Sequence, residues 1–176
     1  ELPEHQREVV LFALATGLRQ SNALRLKWAQ VNLEQRHAWV RATQSKNRRP
    51  ISIPLNSAAY AVLLRQRGKH QERVFTYQGK PLNSANTKAW QQALKRAGID
   101  DFRWHDLRHT WATWQRQAGT PTHELQRLGG WRTAAMVERY AHLAPEHLAA
   151  AASRMATMLS GYVLARASRN ETGPPR

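Results

Sequence analysis

The sequence predicts an α+β domain, mainly α-helical, with one small three-stranded antiparallel sheet. Apolar residues recur at spacings of three and four through most of the chain, the mark of helices with one buried face. Several of these stretches end at a glycine (Gly17, Gly98, Gly119), where a helix C-cap belongs. Only the region 31–55 reads differently, with short β-prone runs, the last alternating Ile51, Ile53 and Leu55 with Ser52 and Pro54.

In chain order, Pro3 and Glu4 open a first helix whose apolar positions Val9, Val10, Phe12, Ala13 and Leu14 lead to Gly17. Leu18-Arg19-Gln20 is a tight connection, and Ser21 is placed to cap a short helix with Leu24 and Trp28 inward. Arg19 therefore sits at a junction between helices. Residues 31–33, 38–43 and 49–55 read as strands, with Pro50 and Pro54 marking the third as an edge or irregular strand. The turn 44–47 puts Lys46 at a hairpin tip. Ser57 is expected to cap a helix to about Gln66 with Ala58, Ala61, Val62 and Leu64 as its apolar positions. The stretch 68–82 is loop-like, pinned by Val74 and Phe75. Asn83 or Ser84 then caps a helix through Ala97. A central helix follows, with Trp104, Leu107, Trp111, Trp114 and Ala118 on one stripe. Pro121 starts a short helix to Leu128, which Gly129-Gly130 breaks. A further helix carries Met136, Val137 and Tyr140. Pro145 opens a last one, with Leu148, Ala151, Ala152, Met155, Leu159 and Tyr162 on one side. The domain is expected over 1–165, with a polar, proline-containing tail over 166–176 that is expected to be disordered.

The totals narrow the function. At 176 residues the chain is about one domain. Lys and Arg number 27 against 12 acids, a net charge of +15, while 41% of residues are hydrophobic. A folded domain with that excess is most simply a surface for a polyanion, and nucleic acid leads. No apolar run approaches the roughly 20 residues of a spanning helix, so no membrane partner is expected. There is no cysteine, which leaves out disulfides and thiolate metal sites. No leader is apparent at the start, which gives a cytoplasmic, nucleoid-associated expectation. The chain starts almost inside a helix, as a fragment of a longer protein would.

Four motifs stand in order: Thr16-Gly17-Leu18-Arg19, the hairpin-tip Lys46, His105-Asp106-Leu107-Arg108-His109-Thr110, and Leu128-Gly129-Gly130-Trp131 followed by Glu138-Arg139-Tyr140-Ala141-His142. Three residues apart on a helix, His105 and Arg108 are neighbours that suit a phosphate: a planar fork for two oxygens beside a group that exchanges protons near neutral pH. A lone His-x-x-Arg would be weak. The whole set, in this order and spacing from about Val9 to Leu148, resembles the catalytic domain of tyrosine recombinases, the phage-integrase family, and the fold expected is theirs.

The resemblance implies a site-specific DNA recombinase, an integrase of a prophage or mobile element, acting on double-stranded DNA through a 3′-phosphotyrosine. Tyr140 would be the nucleophile. Arg19 and Arg108 would clamp the non-bridging oxygens, and Lys46 would protonate the leaving 5′ oxygen. His105 would take or share the tyrosine proton, and Trp131 would offer its indole N–H to the phosphate. His109 and His142 read as structural or supporting. No metal, ATP or cofactor is implied. A homotetramer on DNA is expected at full length, a monomer for the isolated domain, and accessory DNA-bending proteins are candidate partners. Asn22 stands where many members carry an acid, and the N-terminal DNA-binding domain of the family is not in this chain. The rivals are a type IB topoisomerase-like relaxing enzyme and a non-catalytic DNA-binding module of the same fold.

Overall fold

The structure is a computed structural model, and it describes residues 2–140. The helix expected from Pro145 and the tail lie outside the described residues, as does His142. Among the described residues no helix is long and apolar enough to cross a membrane.

Helix α1 (Glu4–Thr16) buries Val9, Phe12 and Ala13 and ends at Gly17, whose φ of 66° is the left-handed cap foreseen. It packs on α3 (Ser57–Gln66) and on α5 (Asp106–Gln117). Glu8, 2% exposed, is held by Arg65 of α3 through Nε at 2.9 Å and Nη2 at 2.8 Å, so its buried charge is paired. The short α2 (Gln20–Leu24) begins one residue earlier than its expected serine cap, with Arg19 itself at the cap position. Trp28 is only half-buried, in a separate single turn (Trp28–Gln30).

The sheet is antiparallel in the order β1 (Val31–Asn32), β2 (His37–Val40), β3 (Ile51–Pro54). Ala38 faces Ile53 and Val40 faces Ile51, all buried. As its prolines require, β3 is an edge strand. The strands are shorter than expected, so the hairpin tip is a ten-residue loop, 41–50. Its turn Ala42–Gln44 forms because Gln30 Nε2 donates both to Trp39 O and to Gln44 Oε1, each at 2.8 Å, which folds the chain off the ladder. A second, two-stranded sheet joins β4 (Thr76–Tyr77) to β5 (Lys80–Pro81) in the stretch read as loop. The Gln78-Gly79 turn between them has φ of 49° and 72°, the paired positive angles of a tight hairpin.

Two caps and one apolar face differ from expectation. Asn56, not Ser57, caps α3: its side chain accepts from Ala59 N and donates to Ala15 O. Thr87, not Asn83 or Ser84, caps α4 (Lys88–Arg96), where it also accepts from Gln6 Nε2 of α1. On α3 the residues Ala59, Val62, Leu63 and Gln66 are buried and Leu64 is exposed. On α5 the buried residues are Leu107, Arg108, Trp111 and Ala112. Ala118 is exposed, and Trp114 lines a surface hollow with Trp90, Ile99 and Phe102. Of the expected stripe Trp104, Leu107 and Trp111 are buried, while Arg108 and Ala112 join the buried face in place of Trp114 and Ala118.

The chain finishes with α6 (Thr122–Gly129) against β3, then α7 (Ala135–Glu138) against α6. Gly130 is the left-handed cap of α6. There are two apolar clusters. The larger gathers α1, α3, the sheet, Trp90, Trp104 and Leu107; the smaller holds Trp111, Ala112, Leu125, Val137 and Tyr140. Helix α5 contributes to both, and Arg108 lies at the turn where it passes from one to the other.

Gly17 carries a measurable consequence of this packing. A Cβ there would stand 2.2–2.6 Å from three ring carbons of Trp111, while one at Gly68, also at positive φ, would meet nothing within 4 Å. Gly68→Ala should cost about 1 kcal/mol for backbone strain alone. Gly17→Ala should cost about 3 kcal/mol, adding overpacking against a buried ring. Urea denaturation midpoints measure both, and equal losses would contradict the close approach.

Candidate active site

Arg108 is the structural centre of the site. It is 3% exposed, with Nη1 donating to Gly17 O at 2.6 Å and Nη2 to Gly129 O at 2.5 Å. Its guanidinium carbon lies 4.0 Å over the Trp131 ring, which in turn stacks on Trp111 at 6.0 Å. Both carbonyls belong to glycines for a reason. Trp111 lies against Gly17, and a Cβ on Gly129 would fall 1.9 Å from the Trp131 ring. Two tryptophans thus pack where only glycine leaves room, and the carbonyls of the same two residues fix the arginine. Of its five N–H groups two are spoken for, and three remain for an anion.

Burial and the nearby Arg19 push the Arg108 guanidinium down to about 9, against a pull upward from Tyr140, so it is still charged at neutral pH. Arg19 is itself lowered by burial, and among the described residues no group accepts from its buried Nη1. Asn22, one turn on, is 4% exposed, and its Nδ2 likewise has no acceptor there. Two cations and an amide are thus held partly out of water near each other. Such an arrangement favours a multivalent anion, which would meet the donors and cancel the repulsion between the guanidiniums.

Tyr140 is positioned by the core. Val137, 0% exposed and packed with Leu125, accepts from Tyr140 N at 2.9 Å, and the phenol ring lies 5.9 Å from Trp131. Its hydroxyl meets His109 Nδ1 at 2.5 Å. Burial raises the phenol's pKa, while Arg108 and then Arg139 draw it down. His105 stands at the exposed N-cap of α5. It is lowered by burial first and then by His109, Arg108 and Arg19, so its neutral form is favoured.

The structure therefore brings Arg19, His105, Arg108, Trp131 and Tyr140 together. Lys46 stands apart. It is exposed in the loop 41–50 and shares a hollow of about 390 Å³ with Asn47, Arg48, Arg49 and Arg132. None of the described contacts joins it to Arg108 or Tyr140. The adjacent Asn47 does tether the loop, donating to Gly130 O at 2.9 Å, one residue from the carbonyl that Arg108 holds. His109, read from the sequence as structural or supporting, follows Arg108 directly and lies four after His105, on the same face as that histidine, and the sequence did not announce its contact with Tyr140. Among the described residues no cluster of three or more His, Cys, Asp or Glu is placed to hold a metal ion.

Comparison with known proteins places the chain among relatives. The family model described as the phage integrase family matches residues 1–147. The integrase of Salmonella phage P22 is 47% identical over 161 residues, which cover 84% of this chain and 42% of that protein. A shufflon-specific DNA recombinase of Escherichia coli is 31% identical over 132 residues, covering 74% of this chain and 33% of its own length. The chain thus spans less than half the length of these two relatives. Among solved structures, the catalytic domain of bacteriophage HP1 integrase superposes with a TM-score of 0.62 at 28% identity, over 83% of this chain and 79% of that one. The XerH site-specific recombinase bound to its difH substrate gives 0.66 at 22% identity, over 87% of this chain and 48% of that one, a likeness of fold.

Proposed function

The chain belongs to the phage integrase family, and from that premise we propose that it is the strand-cleaving domain of a site-specific DNA recombinase that works through a 3′-phosphotyrosine. The observation that carries this is the pairing of a core-anchored phenol, Tyr140, with a buried guanidinium, Arg108, that has three N–H groups left to give. Phosphoryl transfer needs positioning and stabilisation of charge on the equatorial oxygens more than it needs covalent help. Arg108 and Arg19 supply that charge, so the reading includes no metal ion. Attack by Tyr140 Oη forms a phosphotyrosyl bond and releases a 5′ hydroxyl. The diester's energy is kept in the new bond, and resealing needs no ATP.

The remaining roles are proposals of the same kind. Lys46 protonates the leaving 5′ oxygen, which requires the loop 41–50 to bring it inward on DNA from the exposed place it has here. Trp131 supports Arg108 from beneath and offers its indole N–H to the phosphate. Double-stranded DNA is the partner, read from the net charge of +15 and from the basic hollow around Lys46. Assembly as a tetramer on DNA, accessory bending proteins and a nucleoid location belong to the whole protein and are proposed for it alone.

The test is a covalent adduct. A pool of nicked duplexes with a randomised central segment is incubated with the purified protein, and SDS-resistant complexes are recovered and sequenced. Recovery of a shared sequence, with the protein on the 3′ side of the cut, is expected. Adducts without sequence preference, together with relaxation of supercoiled plasmid, would favour a topoisomerase-like enzyme. No adduct at all would leave a DNA-binding module.

A further inference from the structure

A buried phenol that attacks phosphorus must hand its proton to something within hydrogen-bond reach of its oxygen. In this chain the group at that oxygen is the imidazole of His109. Its Nδ1 is 2.5 Å from Tyr140 Oη, and the two rings lie 5.8 Å apart at 42°. His105 stands one helical turn earlier, at the exposed cap of α5, and meets His109 edge-on, with ring centroids 5.0 Å apart. We propose that His109, rather than His105, accepts the Tyr140 proton through Nδ1 in the Nε2–H tautomer, with His105 as the positioning residue behind it. The proposal rests on the reading of Tyr140 as nucleophile.

Two features make the contact a built one. His109 sits in the first turn of α5, directly after Arg108, whose Nη atoms are tied to two carbonyls, and ahead of Trp111 and Ala112, both buried. Tyr140 is set by Val137, which has no exposure. The partners come from elements that meet in one apolar cluster, so a change in either side chain would be felt at the other.

The step balances without a further reactant. As Tyr140 Oη bonds to phosphorus its proton passes to His109 Nδ1. The P–O5′ bond breaks with its electron pair going to the 5′ oxygen, which is protonated by a separate donor, Lys46 in the proposed set. On resealing, the 5′ hydroxyl attacks, the phosphotyrosyl bond breaks, and His109 returns the proton to Oη.

Two measurements decide the proposal. In ¹⁵N NMR of the protein, at a pH where His109 is neutral, its ring should be the Nε2–H tautomer, and its Nδ1 resonance should move in Tyr140→Phe; an Nδ1–H tautomer would overturn the assignment. In single-turnover cleavage of a nicked duplex recovered from the randomised pool, His109→Asn and His109→Ala should each be slowed about 10²–10³-fold with binding little changed. Asn keeps a hydrogen-bonding group near the phenol yet accepts no proton, so a wild-type rate in that variant would reduce His109 to positioning and overturn the proposal. Added imidazole should speed the Ala variant. The defect should also persist when the bridging 5′ oxygen is replaced by sulfur, a leaving group that needs no proton; full rescue by sulfur would place His109 on the acid side instead. Failure of the functional reading would look different, since the wild type itself would form no adduct while the NMR result still stood.

Discussion

Tyr140→Phe should abolish covalent attachment to DNA, lowering single-turnover cleavage of a nicked duplex by at least about 10⁴-fold, while duplex binding stays within about twofold. The size follows from chemistry. Without the hydroxyl no oxygen of this side chain can bond to phosphorus, and what remains is slow attack by water assisted by the guanidiniums. Binding should be spared because in the proposed reading Arg19, Arg108 and the basic surface would hold the phosphate, and none of them depends on Oη. Stability should change by only about 1 kcal/mol, the value of one hydrogen bond, that to His109. Since the ring is 5% exposed and packs beside Trp131, phenylalanine keeps nearly all of its apolar contact. Residual adduct in this variant, mapped to another residue by peptide sequencing, would remove Tyr140 from the mechanism.

The order of helices and the place of the sheet were legible in the sequence because they depend on local signals: glycine caps, proline punctuation and apolar spacing. Gly17, Gly98 and Gly130 each show the positive φ that such punctuation implies. The errors fall where a distant partner overrides a local preference. Thr87 caps α4 in part because Gln6, eighty-one positions away in sequence, bonds to it. The hairpin lengthens to ten residues because Gln30 reaches across to Gln44. Arg108, which the sequence pairs with His105 as a phosphate fork, is a core residue, since its acceptors are backbone carbonyls that no side-chain pattern announces. The same blindness hid the contact of His109 with Tyr140, thirty-one positions on. Periodicity says which face a residue shares. It does not say what lies opposite.

Arg108 is where the fold and the proposed chemistry would depend on one group, and its substitutions should separate the two. Arg108→Ala strands the carbonyls of Gly17 and Gly129 in a buried setting and takes away the cation over Trp131. A loss of about 3 kcal/mol is expected from unmet acceptors and the cavity together. Cleavage should fall about 10³-fold or more, since removal of even one preorganised donor costs about 10²–10³. Arg108→Lys is the more telling variant. An ammonium has three N–H groups against five, so if it satisfies both carbonyls it has one left, and the fork across two phosphate oxygens is gone. Folding should therefore be largely restored, with a urea midpoint nearer wild type than that of the Ala variant, while cleavage stays at least about 10²-fold down. If lysine recovered activity in step with stability, Arg108 would be serving the fold alone, and the clamp on the phosphate would have to be sought in Arg19.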